Sequence, residues 1–143
     1  MPRIMALDVG DKRIGVAVSD ELQLVATPLT TIERTQSEKA DLRSVEQLVR
    51  EHEVSKVVVG NPIMLSGIPG VQAEKVKDFT EKLARRLRVP VETRDERMTT
   101  LEAERRLIEA DVSRADRKQV IDKLAATLIL QSYLDAQKGR TEK

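Results

Sequence analysis

Residues Arg3 to Asp20 read RIMALDVGDKRIGVAVSD, two apolar runs of strand length separated by Gly-Asp-Lys. That pattern demands a β-hairpin, Arg3 to Val9 and Arg13 to Ser19, with at least one buried face. It also sets a problem. Asp8 stands in the first run between Leu7 and Val9, and a carboxylate carried into an apolar sheet must be hydrogen-bonded, ion-paired or coordinated.

The remaining elements follow from changes of period. Gln23 to Ile32 predicts a third strand despite Pro28, since proline is tolerated at a sheet edge. Between Thr35 and His52 the apolar residues Leu42, Val45, Leu48 and Val49 fall at helical spacing, with Thr35 and Glu38 in capping-box positions. VSKVVVG, Val54 to Gly60, has the few charges of a strand buried on both faces, and a loop rich in Pro and Gly follows it. Val76, Phe79, Leu83 and Leu87 stripe a second helix over Gln72 to Arg88, and VPVETRD alternates as a strand. MTTLEAERRLIEADV and Ala115 to Gln137 predict two further helices. The order β-β-β-α-β-α-β-α-α is that of an α/β fold: a mixed sheet with helices packed against it.

A chain of 143 residues fits one domain; residues 1–137 are expected to form it, with 138–143 a polar tail. The absence of cysteine removes disulfides, thiolate zinc sites and cysteine nucleophiles. No basic start leads into a long apolar stretch and no run is long enough to span a bilayer, so a cytoplasmic protein with no membrane partner is expected. A net charge of +1 argues against the global field of a nucleic-acid coating protein. Local basic clusters remain, at Arg85, Arg86 and Arg88 and at Arg114, Arg117, Lys118 and Lys123.

In open α/β sheets, sites gather at the carboxyl ends of strands. Asp8 lies near the end of the first predicted strand, and Asp95 and Glu96 close the last. Asp122 shares a helix face with Ala125, Ala126 and Ile129. Each acid has a simpler reading: Asp8 as a turn cap, Asp95 and Glu96 as partners of Arg94 and Arg97, Asp122 as a partner of Arg117 or Lys118. A shared site explains all of them together, because grouped carboxylates repel one another unless a cation neutralises them. Oxygen donors, with a single histidine, His52, on a helix far from these motifs, suit Mg²⁺ or Mn²⁺. Two such ions about 3.5–4 Å apart would serve phosphodiester hydrolysis.

ALDVGDKRIGVAVSD (Ala6 to Asp20), VVVGNP with Gly67 and Gly70, VPVETRDERMTTLEAERRL (Val89 to Leu107) and IDKLAATLILQSYLD (Ile121 to Asp135) together resemble the four blocks of the YqgF/RuvX family, in order and over nearly the whole chain. The resemblance implies a ribonuclease H-like fold, a mixed five-stranded sheet with helices on both faces. It implies a metal-dependent nuclease that processes the 5′ end of pre-16S rRNA, or, by the older analogy, resolves Holliday junctions. The implied acidic, catalytic set is Asp8, Asp95 and Glu96, and Asp122, with Asp8, Glu96 and Asp122 as metal ligands and either Asp95 or Glu96 completing the site or positioning the attacking water. Lys12, Arg13, Arg97, Arg114, Arg117 and Lys118 are candidate contacts to backbone phosphates. The implied partners are pre-16S rRNA or structured DNA, and with the RNA ribosomal precursor particles. A monomer suffices to trim one RNA end, and a homodimer suits a two-fold junction.

Rival readings are weaker in specific ways. DVGDKRIG also resembles the first phosphate loop of the actin and sugar-kinase ATPases, but this chain is too short for their second domain. Neither GxxxxGK nor GxGxxG occurs, and no GxSxG elbow accompanies His52. A non-catalytic RNA or protein binder, acting for instance in transcription, would keep the acids for structure and cut nothing.

Overall fold

The computed structural model describes residues 3–62, 71–96 and 114–141. Its elements are β1 (Arg3–Val9), β2 (Arg13–Ser19), β3 (Ala26–Glu33), α1 (Glu38–Glu51), β4 (Val54–Pro62), α2 (Val71–Arg86), β5 (Val91–Glu96) and α3 (Arg114–Thr141). The five strands form one sheet in the order β3-β2-β1-β4-β5. β1 pairs antiparallel with β2, and β2 with β3, while β4 and β5 run parallel to β1. The expected mixed sheet is present. The helix expected over residues 98–112 and the loop at 63–70 lie outside the described residues.

Strand alternation divides the core in two. Met5, Leu7, Val9, Ile14, Val16, Val57 and Val59 face α1 and α2, where they meet Val45, Phe79 and Leu83. Ile4, Ala6, Ala17 and Val58 face α3, where they meet Ala126, Ile129, Leu130 and Leu134. A register shift after Arg3 skips Ser55. That irregularity lets Val54 join the first cluster although Val58, of the same parity, joins the second.

Element ends differ from the periodic reading where side chains capture the backbone. β3 begins at Ala26 rather than near Gln23, because the Asp20 carboxylate accepts the N–H groups of Leu24 at 2.8 Å and Val25 at 2.9 Å and Gln23 turns to φ 59°. Those bonds, Val25 first, lower the pKa of Asp20. α1 is capped by Ser37, whose side chain accepts from Ala40 N, and not by Thr35. Thr35 instead donates its N–H to the buried Asp41 at 2.9 Å. α3 continues to Thr141, into the segment read as a polar tail.

Candidate active site at the carboxyl end of the sheet

Asp8 is half-buried between Leu7 and Val9. It has the parity of Ile4 and Ala6, which pack under α3, so its carboxylate belongs to the α3 face. Its antiparallel partner is Gly15. On the other side Leu7 pairs with Val59, which puts Gly60 next along the register. Two glycines thus flank Asp8, and neither raises a side chain beside the carboxylate.

The turn after Asp8 is fixed tightly. Gly10 N donates to Arg13 O at 2.8 Å, and a Cβ at Gly10 would lie 3.0 Å from that same oxygen, so glycine is required by close approach. Arg34 holds the turn from outside. Its backbone N–H donates to Lys12 O at 2.8 Å, its Nη1 donates to Gly10 O at 3.0 Å, and its Nε lies 3.3 Å from Asp41 Oδ2. The guanidinium also sits over the Phe79 ring, 5.2 Å from its centroid. β3, α1 and α2 therefore all bear on the loop that follows Asp8. Sequence reasoning missed this arrangement, because Arg34 and Asp41 fall in no motif and meet only through the β3–α1 turn.

β5 sends alternate residues to the two faces of the sheet. Val91 packs against the α1/α2 cluster, and Asp95, of the same parity, accepts from Asn61 Nδ2 at 3.4 Å. Glu92 and Arg94 instead meet α3: Tyr133 OH donates to Glu92 Oε1 at 2.7 Å, and Arg94 donates to Ser132 Oγ from Nε at 3.1 Å and Nη2 at 2.8 Å. Backbone position 96, the last of the strand, continues the register of 92 and 94.

The other expected residues fall in several places. Lys12 is exposed in the turn, while Arg13, half-buried in β2, lies 3.7 Å from Glu33 across the β2–β3 pair. Asp122, Arg114, Arg117 and Lys118 are carried by α3, but their side chains, that of Glu96 and all of Arg97 lie outside the described residues. Among the described residues no three His, Cys, Asp or Glu side chains converge as metal ligands. His52 closes α1 just before Val54 begins β4, at the opposite end of the parallel strands from Asp8.

A protein-family model described as RuvX: Holliday junction resolvase matches residues 2–136. The chain belongs to the RuvX family. A relative from Caldanaerobacter subterraneus subsp. tengcongensis, named "Putative pre-16S rRNA nuclease", is 56% identical over 138 residues, 96% of this chain and 99% of the relative. One of the same name from Myxococcus xanthus is 52% identical over 134 residues, covering 94% of this chain and 88% of that one. Among solved structures, Thermus thermophilus RuvC in complex with a Holliday junction substrate aligns with TM-score 0.57 at 15% identity over 97% of both chains. A fowlpox virus resolvase bound to Holliday junction DNA aligns with TM-score 0.54 at 15% identity, over 94% of this chain and 98% of that chain. At such identity these structures show the fold alone, and that fold is ribonuclease H-like. No described helix is long and apolar enough to cross a membrane.

Proposed function

We propose that this RuvX-family chain is a divalent-metal-dependent nuclease, a hydrolase of phosphodiester bonds, whose substrate is the 5′ end of pre-16S rRNA within ribosomal precursor particles in the cytoplasm. The observation that carries the reading is the setting of Asp8: a half-buried carboxylate at the carboxyl end of a central strand, on the α3 face and beside Gly15. The names of the relatives supply the RNA.

The donor chemistry fits Mg²⁺ or Mn²⁺, which take hard oxygen ligands, and the one histidine stands at the far end of the sheet. Asp8, Glu96 and Asp122 would hold the ion. Asp95 is set aside because its strand parity and its bond to Asn61 assign it to the opposite face. Asp122 is included on length. Lys56 pairs in register with Ile4 and donates to Tyr133 OH at 2.9 Å. From there to Asp122 is about 16 Å of helix, and from Ile4 to Asp8 about 13 Å of strand.

Bound there, the ion would supply Lewis-acid stabilisation of the phosphate oxygens and a water of lowered pKa. The chain's own residues do the rest. The flanking glycines give a phosphodiester backbone close access to Asp8, the Arg34 brace keeps the following turn from shifting, and Lys12 at the exposed turn offers a cation to a neighbouring phosphate.

The test is cleavage of a labelled RNA carrying the small-subunit 5′ leader, with Mn²⁺ or Mg²⁺ and with EDTA, beside a four-way DNA junction, for the wild type and Asp8→Asn. Metal-dependent cutting of the RNA, lost at least about 100-fold in a folded Asn variant, is expected. Cutting by neither protein, or equally by both, contradicts the reading, and cutting of the junction alone moves the substrate to DNA.

A further inference from the structure

A cleft of about 570 Å³ opens between the exposed edge of β5 and α3, lined by Lys56, Glu92, Arg94, Asp95, Tyr133 and Gln137. It lies on the face that carries Asp8, and Arg94 occupies its near end. Arg94 pairs in register with Gly60, the residue next to Asp8 in the sheet, so the two backbones stand about two strand spacings, or 10 Å, apart.

The two cations in this cleft are in different situations. Lys56 is neutralised within the protein: its Nζ lies 2.9 Å from Glu92 Oε1 and donates to Tyr133 OH at 2.9 Å. Gln137 Nε2 donates to the same hydroxyl at 3.0 Å, closing a network that consumes the Glu92 carboxylate. Asp95 borders the cleft at the strand edge, but its carboxylate accepts from Asn61 on the opposite face. Arg94 is anchored on a neutral group, the Ser132 hydroxyl, through Nε and Nη2. Its described partners include no carboxylate, and Nη1 makes none of these bonds. A guanidinium fixed on one edge by an uncharged acceptor, with no carboxylate against it among the described residues and lining a polar cleft, is prepared for an anion with planar or paired oxygens.

We propose that Arg94 is a phosphate-binding residue and that the β5–α3 cleft carries the nucleic-acid strand a few nucleotides away from the bond cut at Asp8. This rests on the nuclease reading above and extends it by a second point of attachment. Ser132 acts as the positioning residue, holding the guanidinium in its fork. The contact is to backbone, so it fixes the register of the substrate on the enzyme without reading sequence. Nothing in the described part of the cleft offers a base-stacking platform, because the Tyr133 ring is covered by Lys56, 5.5 Å from its centroid.

The experiment measures binding of a fluorescent single-stranded RNA carrying the 5′ leader, in EDTA to prevent cutting, as a function of salt. The wild type, Arg94→Gln, Arg94→Lys and, as a control on the opposite side, the exposed α1 variant Lys39→Gln are compared. Arg94→Gln is expected to weaken binding about tenfold at low salt and to reduce the slope of log K against log salt by about 0.7, the value of one phosphate contact on a single strand. Arg94→Lys should recover the slope, and Lys39→Gln should match the wild type. Arg94→Gln is expected to raise KM for cleavage far more than it lowers kcat. An Arg94→Gln slope equal to wild type overturns the proposal, as does a Lys39→Gln loss of the same size, which would mean diffuse attraction. If Asp8→Asn still abolishes cutting in either case, the nuclease reading stands without this cleft; a wild type that neither binds nor cuts the RNA overturns both.

Discussion

The two faces of the sheet solve opposite problems with the same strands. Toward α1 and α2 the sheet presents Met5, Leu7, Ile14, Val16, Val57 and Val59, and the helices answer with Phe79 and Leu83, all fully buried or nearly so. Toward α3 it presents Ile4, Ala6, Ala17 and Val58, and the helix answers with Ala126, Ile129, Leu130 and Leu134. The first layer holds large apolar volume. The second sets the small Ala6 and Ala17 of the sheet under α3, and farther along the same face come Asp8, Gly15, Gly60 and Arg94. Stability is concentrated where the side chains are large, and chemistry where they are small.

That contrast breaks most visibly at Phe79. Phe79→Ala removes a ring that is 1% exposed and should cost about 3–5 kcal/mol in urea unfolding, and it also takes away the surface beneath Arg34. Asp41→Ala comes next: the carboxylate is 2% exposed and faces Arg34, itself 18% exposed, so its loss leaves the Thr35 N–H without its acceptor and Arg34 with the more distant Glu38, at 3.8 Å, and should cost about 2–3 kcal/mol. A partial loss of cleavage in that variant, at temperatures where it remains folded, would show that the Arg34 brace reaches the active site. On the α3 face the sign of the volume change reverses. Ala17→Leu adds bulk beneath α3 and should destabilise by about 1–3 kcal/mol; a neutral result would mean that the α3 layer is loosely packed.

The smallest effect is electrostatic and sharpens the same comparison. Lys56 is held above its ordinary 10.5 by the Tyr133 hydroxyl first and the Glu92 carboxylate second, and desolvation raises Tyr133 above 10.0. A group whose folded-state pKa is raised contributes stability that is full below its unfolded value and lost as pH rises through the folded one. Unfolding measured from pH 8 upward should therefore show an alkaline decline that Lys56→Met flattens, with less than about 1 kcal/mol of change at pH 7.

Much of this was legible in the chain because burial writes a period into it. The apolar runs of β1 and β2, with Val18 partly exposed, and the stripe Val76, Phe79, Leu83 and Leu87 are buried as their spacing implies. Asp8 stood out because it interrupts such a run. What stayed illegible depends on meetings that period does not encode. Thr35 and Ser37 both offer an oxygen near the start of α1, and only the turn geometry assigns the cap to Ser37. Asp95 and Glu96 are adjacent, and the face of Asp95 follows only once Val91 is seen against one cluster and Glu92 and Arg94 against α3. Arg94 looked like a partner for its acidic neighbours until the sheet brought it to Ser132, 38 residues away.

The central claim is that the α3 face alone carries the chemistry, and adjacent residues of β5 test it most directly. Metal-dependent cleavage of the 5′-leader RNA should be compared for Glu96→Gln and Asp95→Asn, each shown by thermal unfolding to be as stable as the wild type. The account predicts that Glu96→Gln loses cleavage as Asp8→Asn does, while Asp95→Asn stays within about threefold of wild type, the range of a surface substitution. Loss in Asp95→Asn with activity kept in Glu96→Gln would place the chemistry on the other face and contradict it.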